Sequence, residues 1–356
     1  MKKIFALFLT SVLSLTALAQ KDAFVGFYKG ELIADKQRYP SSGDNTIWAE
    51  VSKGPDGYRV VFKPAIMRRA EPFGMADKLK SSGDKIILNK VGEGEHFSGF
   101  EGFISPSEID LKVEKYHVNA PMSTKLKLEK VEIQSPTLGL KAPAGAIVLF
   151  DGKNLDEFDG IAGKKVVEPD WVLNGDGSMT IKQERDANGK KVRFLDLYTK
   201  KHFGSLKMHL EFKFPAEYNF NHRQARNNSG VIFEGMYEIQ VLDSFGSEGY
   251  WDECGSVYRQ WPPMVNACIE SGAWQTMDIE FTPAVFNGDT VVEYPKATVY
   301  VNGVLVQKDT PFIYPTHMQP AQGAKFDQKK HAREVRIKLQ DHTNPISFRN
   351  IWVLPR

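Results

Sequence analysis

Apolar residues in this chain recur at every second position far more often than at helical spacing. Between Ser205 and Phe214, Leu206, Met208, Leu210, Phe212 and Phe214 share one side, while Lys207, His209, Glu211 and Lys213 share the other. That period predicts a strand with its apolar set buried and its polar set on an accessible face. Tyr237, Ile239 and Val241 alternate in the same way with Glu238, Gln240 and Leu242. Nearer the start, Tyr58 to Phe62 and Lys85 to Leu88 read as further strands. Turn residues interrupt these runs at intervals of about 8–12 positions, the mark of sandwiches and barrels. The clearest hairpin is Val299-Tyr300-Val301, Asn302-Gly303, Val304-Leu305-Val306, because Asn-Gly tolerates the positive φ angles of a tight turn. Asn188-Gly189 and Gly175-Asp176-Gly177 mark other turns; the second resembles a calcium loop but lacks its trailing Glu. The pattern predicts an all-β protein.

Residues 1–19 follow a different rule. Lys2 and Lys3 precede an apolar stretch from Ile4 to Leu18, and Ala17-Leu18-Ala19 supplies small residues for cleavage. These are the parts of a signal peptide, so the mature chain is expected to begin at Gln20 and to be exported, to the periplasm or beyond. The stretch is too short to span a bilayer and no later one approaches that length, so no membrane insertion is expected. Proline and small residues in 135–145 mark a linker between a small antiparallel β domain over 22–134 and a larger domain over 146–356. Hydrophobic residues make up 42%, enough for two cores, and a net charge of +2 gives no reason to expect nucleic acid. The basic stretch from Lys325 to Lys338 reads as a loop followed by a solvated strand face. Cys254 and Cys268 are the only cysteines. In an exported chain they predict a disulfide stabilising the fold by roughly 3 kcal/mol, with two buried free thiols as the alternative.

Polar residues on strand faces are where chemistry can sit. Glu238 and Gln240 point the same way, and a bulge would bring Asp243 to that face; plain alternation would turn it toward the core. Glu211 lies on the polar side of what reads as a neighbouring strand. Asp341-His342 ends another strand, where a His titrates near neutrality. Arg349 suits either a substrate contact or an ion pair holding the last strand. Trp171, Tyr258 and Trp274 suit sugar stacking or a core, and Pro215 to Asn228, with His222, Arg223 and Arg226, is long enough to rim a cleft.

Asn228-Ser229-Gly230-Val231-Ile232-Phe233 followed by Tyr237-Glu238-Ile239-Gln240-Val241-Leu242-Asp243 resembles the central signature of the 3-keto-disaccharide hydrolase domain family. Val148 to Leu155, Gly272 to Thr276, the Asn302-Gly303 hairpin, and Leu339 to His342 with Phe348 to Ile351 are similar to further family motifs, in the family's order. The Ser135-Pro136-Thr137-Leu138-Gly139 junction resembles members that carry an extra N-terminal β domain. The resemblance implies a concanavalin A-like jelly-roll sandwich after that domain, and cleavage of glycosides carrying a ketone at sugar C3. A C3 carbonyl acidifies the C2 hydrogen and makes the C1 oxygen a leaving group, so elimination and rehydration give net hydrolysis. Such a site needs a base, an acid and a group that polarises the ketone, either a divalent metal ion or an Arg or Lys. Glu238, Glu211, His342, Asp341 and Asp243 are the catalytic candidates. Gln240, Arg349, Trp171, Tyr258 and Asn228 are the substrate-binding ones. No other cofactor is called for, and the expected partner is an oligosaccharide or glycoside.

Two other functions fit the same residues. Glu238-x-Gln240-x-x-Asp243 is similar in spacing to the Glu-x-Asp-x-x-Glu strand of laminarinase-like retaining endoglucanases, whose two carboxylates stand about 5 Å apart. An amide replaces the middle Asp and an Asp replaces the last Glu. A non-catalytic carbohydrate-binding sandwich is the third reading, since fold alone does not make an enzyme.

Overall fold

Residues 21–32, 46–68, 71–117, 120–216, 223–247, 251–316 and 330–356 are described by a computed structural model. The signal segment 1–19 and His222 lie outside these residues. Within them the protein is all-β and antiparallel; the one helical element is the 3-10 turn Arg223–Ala225. No described helix is long and apolar enough to cross a membrane.

The N-terminal part is a nine-stranded sheet. Its spatial order is Gly74–Leu79, Gly57–Lys63, Thr46–Gly54, Gly26–Leu32, Ala120–Val131, Glu108–His117, Phe97–Ile104, Lys85–Val91 and Ser81–Ser82. The sheet curls until its two ends meet, with Met75 and Glu93 exchanging backbone hydrogen bonds of 2.8 and 2.9 Å. Curling encloses a core that includes Phe27, Tyr28, Phe62, Phe97 and Phe100.

The C-terminal part is the expected jelly-roll sandwich. One sheet runs Val172–Leu173, Met179–Thr180, Ser347–Pro355, Leu206–Lys213, Trp274–Thr282, Lys296–Val301 and Val304–Pro311, with Ile147–Phe150 also pairing Ser347–Pro355. The other has six strands: Lys165–Val167, Phe158–Ala162, Asp196–Thr199, Ile337–Leu339, Asn228–Phe233 and Tyr237–Leu242. Alternation decides what lies between them. Leu206, Met208, Leu210 and Phe212 from one sheet meet Val231, Phe233, Tyr237, Ile239 and Val241 from the other. Asn302 sits at φ 51° and Gly303 at φ 76°, both left-handed, as the Asn-Gly hairpin requires.

The linker is a strap laid on the outside of the first of these sheets. Ser135 and Thr137 hydroxyls lie 2.6 and 2.8 Å from that of Thr276, and Thr137 donates to Asp278 at 2.9 Å. The Leu140 carbonyl accepts from Asn350 at 3.0 Å and from the Trp352 indole at 3.2 Å. The supposedly accessible side of Leu206–Lys213 is therefore closed, with His209 and Glu211 at 0% and 1% exposure.

The two parts are joined through the long loop between Tyr237–Leu242 and Trp274–Thr282. Phe245 and Ile269 from that loop are buried in the N-terminal core, and the Phe245 ring meets Phe27 edge-on at 5.3 Å. Gly246, at φ 76°, passes so close that a Cβ there would fall 2.5 Å from Ser52. The expected disulfide is not formed. Cys254 and Cys268 are free and buried in this loop, with the Cys268 thiol 3.9 Å from the Leu242 carbonyl and both packed as small core residues.

Phe245→Ala empties a site in the N-terminal core as well as undoing the junction. It should cost about 3–5 kcal/mol in denaturant unfolding, the range for buried Phe truncations. A cost below about 1 kcal/mol would show that the loop is not held there.

Candidate functional site

Tyr237–Leu242 is the edge strand of the six-stranded sheet, and its side chains away from the core define a grid. Register puts Tyr198, Lys338, Ile232 and Glu238 in one row across four strands. Gly230 and Gln240 are paired in the next row, where the Gln340 backbone N–H donates to the Gly230 carbonyl at 3.0 Å; Asn228 opposite Leu242 follows. Strands about 4.8 Å apart bring these groups within reach of one bound sugar.

Gly230 explains how Glu238 enters the grid. A Cβ on Gly230 would meet the Glu238 carboxylate oxygen at 2.8 Å and its Cγ at 3.2 Å. The Glu238 side chain therefore lies over the glycine, leaning from the sheet edge toward its middle. A glycine in a strand interior often marks such a close approach.

The loop after this strand covers the sheet edge. Tyr258 donates its backbone N–H to Glu238 at 3.1 Å, and Gln240 exchanges backbone bonds with Ser256 and Gly255 at 3.0 and 2.9 Å. Gln224, from the short 3-10 turn, ties the rim together. Its Oε1 accepts from Asn228, Tyr258 and Gln240 at 3.0, 3.2 and 3.4 Å.

Four polar atoms around this grid are buried without a partner among the described residues: the acceptors Asn228 Oδ1, Gln240 Oε1 and Gln340 Oε1, and His342 Nδ1, an acceptor in the tautomer protonated at Nε2. Each unsatisfied polar atom costs about 1–3 kcal/mol, so their grouping points to a ligand that brings hydroxyl donors. Glu238 is 5% exposed. Burial raises its pKa to about 8, outweighing the opposing pull of Lys338 and Arg259, while Asp196 adds to the rise. Burial likewise lowers His342, against the attraction of Asp341 and Asp196 and with the help of Lys338. Near neutrality the face thus holds a protonated carboxyl and a neutral imidazole. Lys338 is held 2.7 Å from Asp196 and lies 5.7 Å from the Tyr198 ring centre.

Glu238, Gln240, Asn228, Tyr258 and His342 thus gather around one sheet face, but the other predicted residues do not join them. Glu211 belongs to the other sheet, where Arg349 binds it at 2.6 Å and the Asn350 amide and Gly139 N–H donate to it at 2.8 and 2.6 Å. Burial alone would raise Glu211, yet hydrogen bonds from His209, Asn350, Arg349 and Gly139 together bring it down to about 2. His209 stands between Glu211 and Asp278, 2.7 Å from the latter; burial disfavours its charge, but the two carboxylates prevail and raise it. Arg349 also stacks on Trp274 at 4.0 Å, so both serve the strap. Asp341 is buried against Lys191 and accepts the Leu195 N–H at 2.9 Å, which closes a loop. Asp243 obeys plain alternation: it turns inward to Ser271 and to Asn227 at 3.1 Å, with no bulge to bring it beside Glu238. Trp171 is core, stacked on Phe348.

Lys338 and Gln340 escaped the sequence reading. They alternate with Ile337 and Leu339 as Glu238 and Gln240 alternate with their neighbours, but the surrounding basic residues read as a solvated face. Gln224 carried no periodic signal at all. Among the described residues no group of three or more His, Cys, Asp and Glu is placed to hold a metal ion, and Lys338 and Arg259 are side-chain cations whose charge acts on Glu238.

The sequence profile of the 3-keto-alpha-glucoside-1,2-lyase-like domain family matches residues 145–354. A protein of Parabacteroides distasonis ATCC 8503, provisionally assigned as a glycosyl hydrolase, is 34% identical over 61% of this chain and 86% of its own, with a TM-score of 0.51. A second so assigned from that organism is 16% identical over 60% of this chain and 94% of its own, with a TM-score of 0.40. No curated protein sequence matches the chain significantly.

The two buried glutamates predict opposite pH signatures. Glu238 keeps a proton that the unfolded chain releases above about pH 4.5, so wild-type stability falls between pH 4.5 and about 8. Glu238→Gln has no such proton, and its melting temperature should gain on wild type across that window. Glu211 is stabilising above about 4.5, and that contribution is lost as pH falls toward 2. Glu211→Gln should cost about 3–5 kcal/mol at pH 7, as loss of a buried partner does, and the deficit should shrink in acid. Matching pH profiles for the two variants would contradict this division.

Gly230→Ala tests the packing over the glycine. Its methyl group displaces the Glu238 carboxyl, so activity should fall at least tenfold while circular dichroism stays native. Full activity would show that the carboxyl is not held there.

Proposed function

The chain belongs to the 3-keto-alpha-glucoside-1,2-lyase-like domain family, and from that premise we propose that this carbohydrate-active protein cleaves glycosides already oxidised to a ketone at C3. The observation that carries the reading is the Glu238 carboxyl, buried and protonated to about pH 8 among four buried polar atoms that have no partner among the described residues. A protonated acid at neutral pH is what a departing glycosidic oxygen requires. Asn228, Gln240 and Gln340 accept from sugar hydroxyls and fix the ring. His342, neutral and with Nδ1 unpartnered, takes the C2 proton. Lys338 stabilises the negative charge that develops on the C3 oxygen. The C2–H electrons form the C1–C2 double bond as the C1–O bond breaks, and Glu238 protonates the leaving oxygen. Water then adds at C1 and a proton returns to C2, for net hydrolysis.

The retaining-endoglucanase arrangement lacks its second carboxylate, because Asp243 is turned to Ser271 and Asp196 is paired with Lys338. The Lys2-Lys3 start and the Ala17-Leu18-Ala19 site support action after export, in the periplasm or outside the cell, from a mature end at Gln20.

Purified protein should cleave a 3-keto disaccharide and leave the unoxidised parent intact. Deuterium at C2 should slow cleavage or exchange with solvent. Glu238→Gln should lower kcat/KM by about 100-fold or more, the usual worth of a general acid, and kcat/KM for wild type should decline above pH 8. Comparable rates on the parent disaccharide would refute C2 abstraction and favour direct hydrolysis.

A further inference from the structure

Trp251 is a large apolar side chain left 44% exposed on the loop that walls the site, and it belongs to neither core. Trp261, 42% exposed, is the other open indole of the sandwich, but its Nε1 is bonded to the Pro311 carbonyl and no contact among the described residues ties it to Glu238 or Gln240. Trp171 stacks on Phe348, and the ring of Trp274 carries Lys213 and Arg349 at 4.6 and 4.0 Å. The Trp251 ring meets Tyr258 with centroids 5.9 Å apart and planes at 51°; Arg259 lies 5.3 Å from the Tyr258 ring centre, so the open part of this shelf is the indole.

That shelf is fixed to the floor of the site. Asp252, the next residue, accepts through its backbone carbonyl from the side-chain amides of Gln224 and Gln240, each at 3.3 Å. Tyr258 is bound by its N–H to the Glu238 carbonyl and by its hydroxyl to Gln224. The aromatic pair therefore stands beside Glu238 on the side where the sheet has ended, opposite Lys338.

We infer that Trp251, with Tyr258, is a platform for the ring carried by the leaving oxygen, and that the protein selects glycosides whose leaving group is such a ring. The inference rests on the reading of Glu238 as the acid. An acid must touch the glycosidic oxygen, so the group beyond that oxygen lies past Glu238, over the shelf. The C–H face of a pyranose and the face of an aryl aglycone share the needed chemistry: both are flat, apolar and covered well by an indole.

The test compares wild type, Trp251→Ala and Trp251→Phe on a 3-keto disaccharide, an aryl 3-keto-glucoside and methyl 3-keto-glucoside. Trp251→Ala should lose about tenfold in kcat/KM on at least one ring-bearing substrate, mostly through KM, and much less on the methyl glycoside. Trp251→Phe should recover most of the loss. A loss confined to the disaccharide identifies a sugar as the occupant, and one confined to the aryl substrate identifies an aglycone. Equal losses on all three substrates, or none, overturn the platform. Wild type inactive on all three would sink the C3-ketone reading instead. In that case calorimetric titration of the disaccharide and of the aryl glucoside into Glu238→Gln with and without Trp251→Ala decides the platform: about tenfold weaker binding of either upholds it, and equal or absent binding of both overturns it.

Discussion

A strand at a sheet edge exposes a row of unpaired backbone groups, and a stable protein has to cover them. Here the edge is Tyr237–Leu242, and its cover is the short run from Gly255 to Tyr258, bonded to Glu238 and Gln240 through the backbone. Much of the remaining arrangement depends on this pairing. It brings Tyr258, Arg259 and Asp252 to the rim of the polar grid and encloses Glu238 enough to change its protonation state. The loop on either side continues to Phe245 and Ile269, which are buried in the other part of the molecule. One covered edge thus links the wall of the site to the core of the N-terminal sheet.

Two buried glutamates show how surroundings assign work to identical side chains. Glu211 has His209, Arg349, Asn350 and Gly139 to satisfy its charge, so it stays ionised and holds the linker strap. At Glu238 burial outweighs the pull of Lys338 and Arg259, so the proton remains. A carboxyl that carries a proton at neutral pH is poorly suited to holding a fold and well suited to proton transfer. The outer faces of the two sheets are divided accordingly: one is closed by the strap, and the other keeps unmatched acceptors.

Much of this was legible in the chain. Alternation identified strands and faces, Asn302-Gly303 identified a hairpin, and the run from Asn228 to Asp243 identified the strands that carry Glu238 and Gln240. These are local properties, fixed by the period of two and by the φ angles that Asn and Gly accept. Alternation also leaves Asp243 facing inward without a bulge, as the structure has it.

Pairing between distant segments was not written locally. Glu211 and Glu238 both point away from the core, yet only strand order puts them in different sheets. Lys338 entered the grid because Ile337–Leu339 pairs with Asn228–Phe233, a contact over a hundred residues apart in sequence that its basic neighbours gave no hint of. Cys254 and Cys268 lie in one loop and are both buried in the core, as two free thiols. Sequence periodicity determines the direction in which a side chain leaves its strand. Which groups it then meets, and so whether it carries a charge or a proton, was decided only when the sheets assembled and water was excluded.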